Sequence, residues 1–124
     1  MKTSIRNWPF THLCAVLALA GAFATAHAQT APRPPLVKEG TTVKISEHVW
    51  VIPDEKVPMV PNVGIIVGSR ATMVVDPGMG LKSGQTVLNE VGKVSRNSEL
   101  YIVTTHFHPE HTTGEAAFPV STKI

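Results

Sequence analysis

Leu100-Tyr101-Ile102-Val103-Thr104-Thr105 runs straight into His106-Phe107-His108-Pro109-Glu110-His111, and this stretch decides how the chain is read. The first six residues are apolar or β-branched and read as a buried strand. Two histidines one residue apart follow at its end. In an extended segment, side chains two positions apart point the same way, so His106 and His108 converge on one ion. Imidazole nitrogens suit four-coordinate zinc. Glu110 and His111 continue into a turn, from which they reach a second ion on the other side. Two metals about 3.5–4 Å apart hold a bridging hydroxide, the nucleophile of many hydrolases. A bare H-x-H reads more often as a solvated histidine tract. The full H-x-H-x-E-H after an apolar strand, with Gly114 beyond it, is more specific.

Upstream of this strand, Val87, Leu88, Val91 and Val94 fall at helical spacings. They predict an amphipathic helix over residues 82–94. Gly84 and Gly92 weaken it, each by roughly 1 kcal/mol against alanine in a helix interior. Asp76-Pro77-Gly78-Met79-Gly80 breaks the chain sharply before the helix. Ala71–Val75 and Val63–Val67 read as strands joined through Gly68-Ser69-Arg70, a hairpin link. Val49–Ile52 is a further strand, ended by Pro53-Asp54, and Val43 with Ile45 alternates with polar neighbours. The order is four strands, a helix, a strand and a histidine loop. It predicts an α/β (α+β) fold, a mixed sheet with helix on one face. In open α/β sheets functional loops lie beyond the carboxyl ends of strands, where this loop falls. Trp50, Met59, Met73 and Met79 read as packing residues.

Residues 1–28 read as a secretory leader. Lys2 and Arg6 precede an apolar run from Leu13 to Ala26, and Ala26-His27-Ala28 offers a small-x-small cleavage site after Ala28. The run is shorter than the roughly 20 residues of a membrane span, so no stable membrane anchor is expected. This predicts a periplasmic or secreted protein. The leader takes with it the only cysteine, Cys14, so any metal is left to His and carboxylate. It also takes two of the 11 basic residues, leaving nine against nine acidic. A neutral chain carries no electrostatic footprint for nucleic acid. Residues 29–41, with Pro32, Pro34 and Pro35, read as a disordered Pro-rich tail. The domain proper spans residues 42–124.

The histidine loop resembles the H-x-H-x-D-H motif of the metallo-β-lactamase superfamily. Asn62-Val63-Gly64-Ile65-Ile66-Val67-Gly68 and Val74-Val75-Asp76-Pro77-Gly78 resemble two of its strand motifs, so the likeness covers about residues 42–119. The resemblance implies an αββα sandwich, of which this chain carries the amino-terminal half. It implies one or two zinc ions, with His106 and His108 at the first site and Glu110 and His111 at the second. Asp76 matches an aspartate that orients the histidine loop from behind the ligands. As a residue before Pro77-Gly78 it reads equally as a turn former. The implied activity is hydrolysis of a small-molecule substrate. A metal-bound hydroxide attacks an ester, thioester or amide bond, β-lactams included, and the acidic residue, Glu110, handles a proton.

The chain departs from the motif in two ways. Glu110 replaces the usual aspartate and is one methylene longer, which moves the carboxylate relative to the metals. No His or Asp follows His111, so the family's remaining ligands and its second layer are not in this sequence. The parent protein is therefore expected to be a metallo-hydrolase, and this chain alone an inactive fragment. The alternative is a catalytically inactive metal-binding remnant. A di-iron redox member fits less well, because that branch resembles H-x-E-x-D, with a carboxylate where this chain has His108. The missing layer is expected to leave Val63, Ile65, Val74 and Ile102 uncovered and to drive self-association through that sheet face.

Overall fold

The computed structural model describes residues 35–124. The leader expected over residues 1–28 lies outside the described residues, as do residues 29–34 of the expected tail. The rest is of the α+β class. Strands β1 (Val43–Lys44), β2 (Val49–Ile52), β3 (Val63–Val67), β4 (Ala71–Val75) and β5 (Glu99–Val103) form one mixed sheet in the order β1-β2-β3-β4-β5. The first four run antiparallel as a meander, and β5 joins β4 in parallel. The parallel step needs a crossover, which helix α1 (Gly80–Val94) supplies. A one-turn helix α2 (Pro109–Thr112) and a 3₁₀ helix (Thr113–Ala117) follow β5. The chain then returns to β5, where Lys123 N donates to Leu100 O and Ile102 N donates to Lys123 O.

The expected hairpin forms as read, closed by Gly68 N donating to Ala71 O at 2.9 Å. Helix α1 begins two residues before the expected Lys82, and β5 ends at Val103 rather than Thr105. Ile45 falls outside β1 and is 62% exposed, its N–H turned to Val49 O in the β1–β2 turn. Of the residues read as packing groups, Trp50 lies against the core, whereas Met59 is 55% exposed.

One expectation is reversed. Val63, Ile65 and Val74 are fully buried and Ile102 is 2% exposed. They lie with Trp50, Ile52 and Leu100 beneath Val87 and Val91 of α1. Among the described residues, the face left uncovered is the opposite one. Val43, Val51, Gly64, Val75 and Val103 align across the sheet in one row, and Val49, Ile66, Met73 and Tyr101 in the next. A strand's side chains alternate between faces, so a one-residue change of phase exchanges the covered set for the bare one. β3 is apolar on both faces, which hides that phase in the sequence. The hand of the β4-α1-β5 crossover selects the covered face.

Polar groups on both sides of α1 are paired. Thr72 is buried, its hydroxyl 2.7 Å from that of Ser95 just past α1. Asn97 binds both Gly68 O and Thr72 Oγ1. On the other side of α1, Glu90 is 1% exposed. Gly40 N, the Thr42 hydroxyl and Lys93 Nζ all donate to it. Burial works against its charge, but these donors hold its carboxyl below the ordinary range. Glu90 thereby ties down the described part of the expected tail. Val37, in that segment, is 4% exposed and joins the core, and its N–H donates to Ser83 Oγ. Among the described residues, no helix is long and apolar enough to cross a membrane.

Candidate metal centre

The parallel register places Val75 beside Val103, so Asp76 and the start of the histidine loop leave the same end of the sheet. Asp76 N donates to Val103 O at 3.0 Å, which extends the ladder by one rung. Asp76 then turns into the left-handed region, at φ 57°. For a residue with a side chain this conformation costs about 1–2 kcal/mol. The turn aims its carboxylate at the loop. Oδ1 accepts from Thr105 N and Oδ2 from the Thr105 hydroxyl, each at 2.8 Å. His111 Nδ1 stands 2.9 Å from Oδ2, off the line of an aligned hydrogen bond. Asp76 thus forms the turn and contacts Thr105 and His111 from it. Burial opposes its charge, and the Thr105 N–H, His111 and the Thr105 hydroxyl outweigh burial, lowering its pKa below the usual carboxylate value.

The far end of the loop is also held. Gly114 N donates to Gly78 O at 2.7 Å. Thr113 Oγ1 donates to Pro109 O and accepts from Gly80 N, the first N–H of α1. That helix has no capping side chain of its own, so the histidine loop supplies one. Pro109 opens α2, where its missing N–H costs nothing. The fit beneath is close. A β-carbon on Gly114 would stand 2.2 Å from Pro77 O.

Between these anchors the rings gather. The His106 and His111 centroids are 4.0 Å apart, and those of His106 and His108 are 4.7 Å apart. Glu110 Oε1 lies 3.6 Å from His108 Nδ1. His111 rests on His106, and Glu110 stands nearer His108. His106 and His108 are exposed, whereas the Glu110 and His111 side chains are 18% and 19% exposed. Phe107, 85% exposed, stands edge-on to His108. The rings rest against one another rather than around a common point. Among the described residues, no three His, Cys, Asp or Glu side chains close into a set that could hold a metal ion.

Thr105 escaped the sequence reading, as did Thr113 and the fit of Gly84 against Gly114. Nothing in a strand-ending threonine marks it as a partner of Asp76, 29 positions earlier. The β2–β3 loop leaves the same end of the sheet, with Val57 and Met59 exposed upon it. Comparison with known proteins finds no family model that matches this chain and no curated protein that matches it.

Proposed function

We propose that this chain is the metal-loop-bearing, amino-terminal part of an exported zinc-dependent hydrolase of the metallo-β-lactamase type. Its substrate is a small molecule with an ester, thioester or amide bond, β-lactams included. The sheet with α1 on one face is then one half of an αββα sandwich. The observation that carries this reading is the Asp76 carboxylate, which grips Thr105 and meets His111, while the His106 ring lies 4.0 Å from that of His111 and 4.7 Å from that of His108. A buried, ionised carboxylate behind a histidine cluster is the arrangement that orients imidazole ligands.

The donor set suits zinc in kind: imidazole nitrogen and carboxylate oxygen. His106 and His108 are exposed, and rotation about their side-chain torsions brings their nitrogens outward. His106, His108, Glu110 and His111 would hold one or two zinc ions. Zinc there supplies Lewis-acid polarisation of the scissile bond and acidification of water. Glu110, less exposed than His108, would hold or pass a proton in this reading. Phe107, Val57 and Met59 offer apolar contact to a substrate at this end of the sheet.

The donors are not drawn into a closed set, and this favours a second reading, a catalytically inactive metal-binding remnant. Zinc titration by calorimetry, followed by hydrolysis assays on a β-lactam, a thioester and a lactone, separates the two. Zinc binding with hydrolysis in the longest natural form of the protein, both lost in the His106→Ala, His108→Ala double variant, is the expected result. Zinc binding without hydrolysis in the longest natural form of the protein leaves the remnant. Absence of zinc binding removes both.

A further inference from the structure

We propose that Thr105 is a positioning residue, whose hydroxyl relays the Asp76 carboxylate to His106 and fixes that imidazole with hydrogen on Nδ1 and a free lone pair on Nε2. The inference deepens the zinc reading, which gives the free nitrogen its purpose. It rests on counting hydrogens. A hydroxyl has one hydrogen to give, and an ionised carboxylate can only accept. Asp76 is buried, and its Oδ2 lies 2.8 Å from Thr105 Oγ1, so the hydroxyl hydrogen is committed there. The same oxygen stands 3.0 Å from His106 Nδ1. With its hydrogen spent, Thr105 Oγ1 meets that nitrogen as an acceptor, and Nδ1 carries the proton.

The opposite tautomer sets lone pair against lone pair at 3.0 Å, or turns the hydroxyl away from Asp76. His111 lies beside the same carboxylate without a relay, off the line of a hydrogen bond. Its Nδ1 is 2.9 Å from Asp76 Oδ2, a distance at which an unprotonated nitrogen would repel the carboxylate. One buried carboxylate therefore acts on two imidazoles, on His106 through the Thr105 hydroxyl and on His111 by proximity. The backbone N–H of Thr105 on Oδ1 keeps the carboxylate from rotating out of this arrangement.

Nitrogen NMR of the metal-free protein, at a pH where the imidazoles are neutral, reads each tautomer. His106 and His111 are expected in the Nδ1–H form. Thr105→Val should release His106 to the Nε2–H form and leave His111 unchanged, whereas Thr105→Ser should restore the wild-type pattern. Zinc affinity should fall about 10–100-fold in Thr105→Val and recover in Thr105→Ser. His106 in the Nε2–H form in the wild type, or an unaltered tautomer in a folded Thr105→Val, overturns the proposal. If Thr105→Val does not fold, the wild-type and Thr105→Ser spectra decide it alone. Expected tautomers with no response to zinc would sink the metal reading and leave the relay standing. Zinc binding with His106 in the Nε2–H form would do the reverse.

Discussion

A β-carbon on Gly84 would stand 2.0 Å from the carbonyl oxygen of Gly114. The second turn of α1 therefore touches the backbone that closes the histidine loop, with only a hydrogen between them. Ala117 Cβ would lie 2.8 Å from the same added atom, so no easy shift relieves the clash. Gly84 weakens the helix by its intrinsic propensity and in return lets the loop seat on it.

Gly84→Ala is accordingly expected to destabilise the protein by about 1–3 kcal/mol, the usual range for overpacking. Gly92 has nothing within 4 Å of the equivalent atom and is exposed. Gly92→Ala is expected to stabilise by about 0.5–1 kcal/mol. Urea unfolding of the two variants checks the contrast. Equal effects of the same sign would refute the close approach.

Asp76 makes stability depend on acid. Its carboxyl titrates below its unfolded value in the folded protein, so its contribution is present above the unfolded pKa of 3.8. It is lost as pH falls through the folded value. Asp76→Asn is expected to cost about 1–3 kcal/mol at neutral pH. Its gap from wild type should narrow below pH 3.8. Stability measured by denaturant at several pH values checks this, and a pH-independent gap would contradict it.

Glu90 holds the segment that precedes β1. Glu90→Ala leaves the Gly40 N–H and Thr42 hydroxyl without their acceptor and Lys93 without its nearest carboxylate. A loss of about 1–3 kcal/mol is expected, with faster hydrogen exchange concentrated in residues 37–42. Exchange that rises evenly through the protein would count against a local tie.

The sheet face left uncovered among the described residues carries Val51, Ile66, Met73, Val75 and Val103, and Ile66 and Val103 are 38% and 43% exposed. Apolar faces of this kind favour association. Sedimentation should show self-association that weakens at least about tenfold in an Ile66→Lys, Val103→Lys double variant, equal to about 1.4 kcal/mol. Substituting the covered residues Ile65 and Val74 should instead unfold the protein. A monomeric wild type at high concentration would dismiss self-association through this face.

Glu110→Gln keeps an oxygen ligand but removes the group proposed to handle a proton. Hydrolysis is expected to fall about 10²–10⁴-fold while zinc still binds. Steady-state rates read beside zinc stoichiometry test this, and an unchanged rate would take Glu110 out of the chemistry.

The sequence by itself determined which segments become strands and helix, because alternation and helical spacing are local records of burial. Val87 and Val91 face the core as their spacing requires, and Gly68-Ser69-Arg70 turns the β3–β4 hairpin. It also placed His106, His108, Glu110 and His111 in one loop beyond β5, since neighbours in sequence remain neighbours in space. Tertiary structure alone decided which sheet face is covered, because β3 is apolar on both sides and the crossover of α1 makes the choice. It alone joined Asp76 to Thr105 and His111, and Gly84 to Gly114. Those contacts exist only because a parallel register brings β4 and β5 to the same sheet end, a long-range pairing that no local pattern encodes.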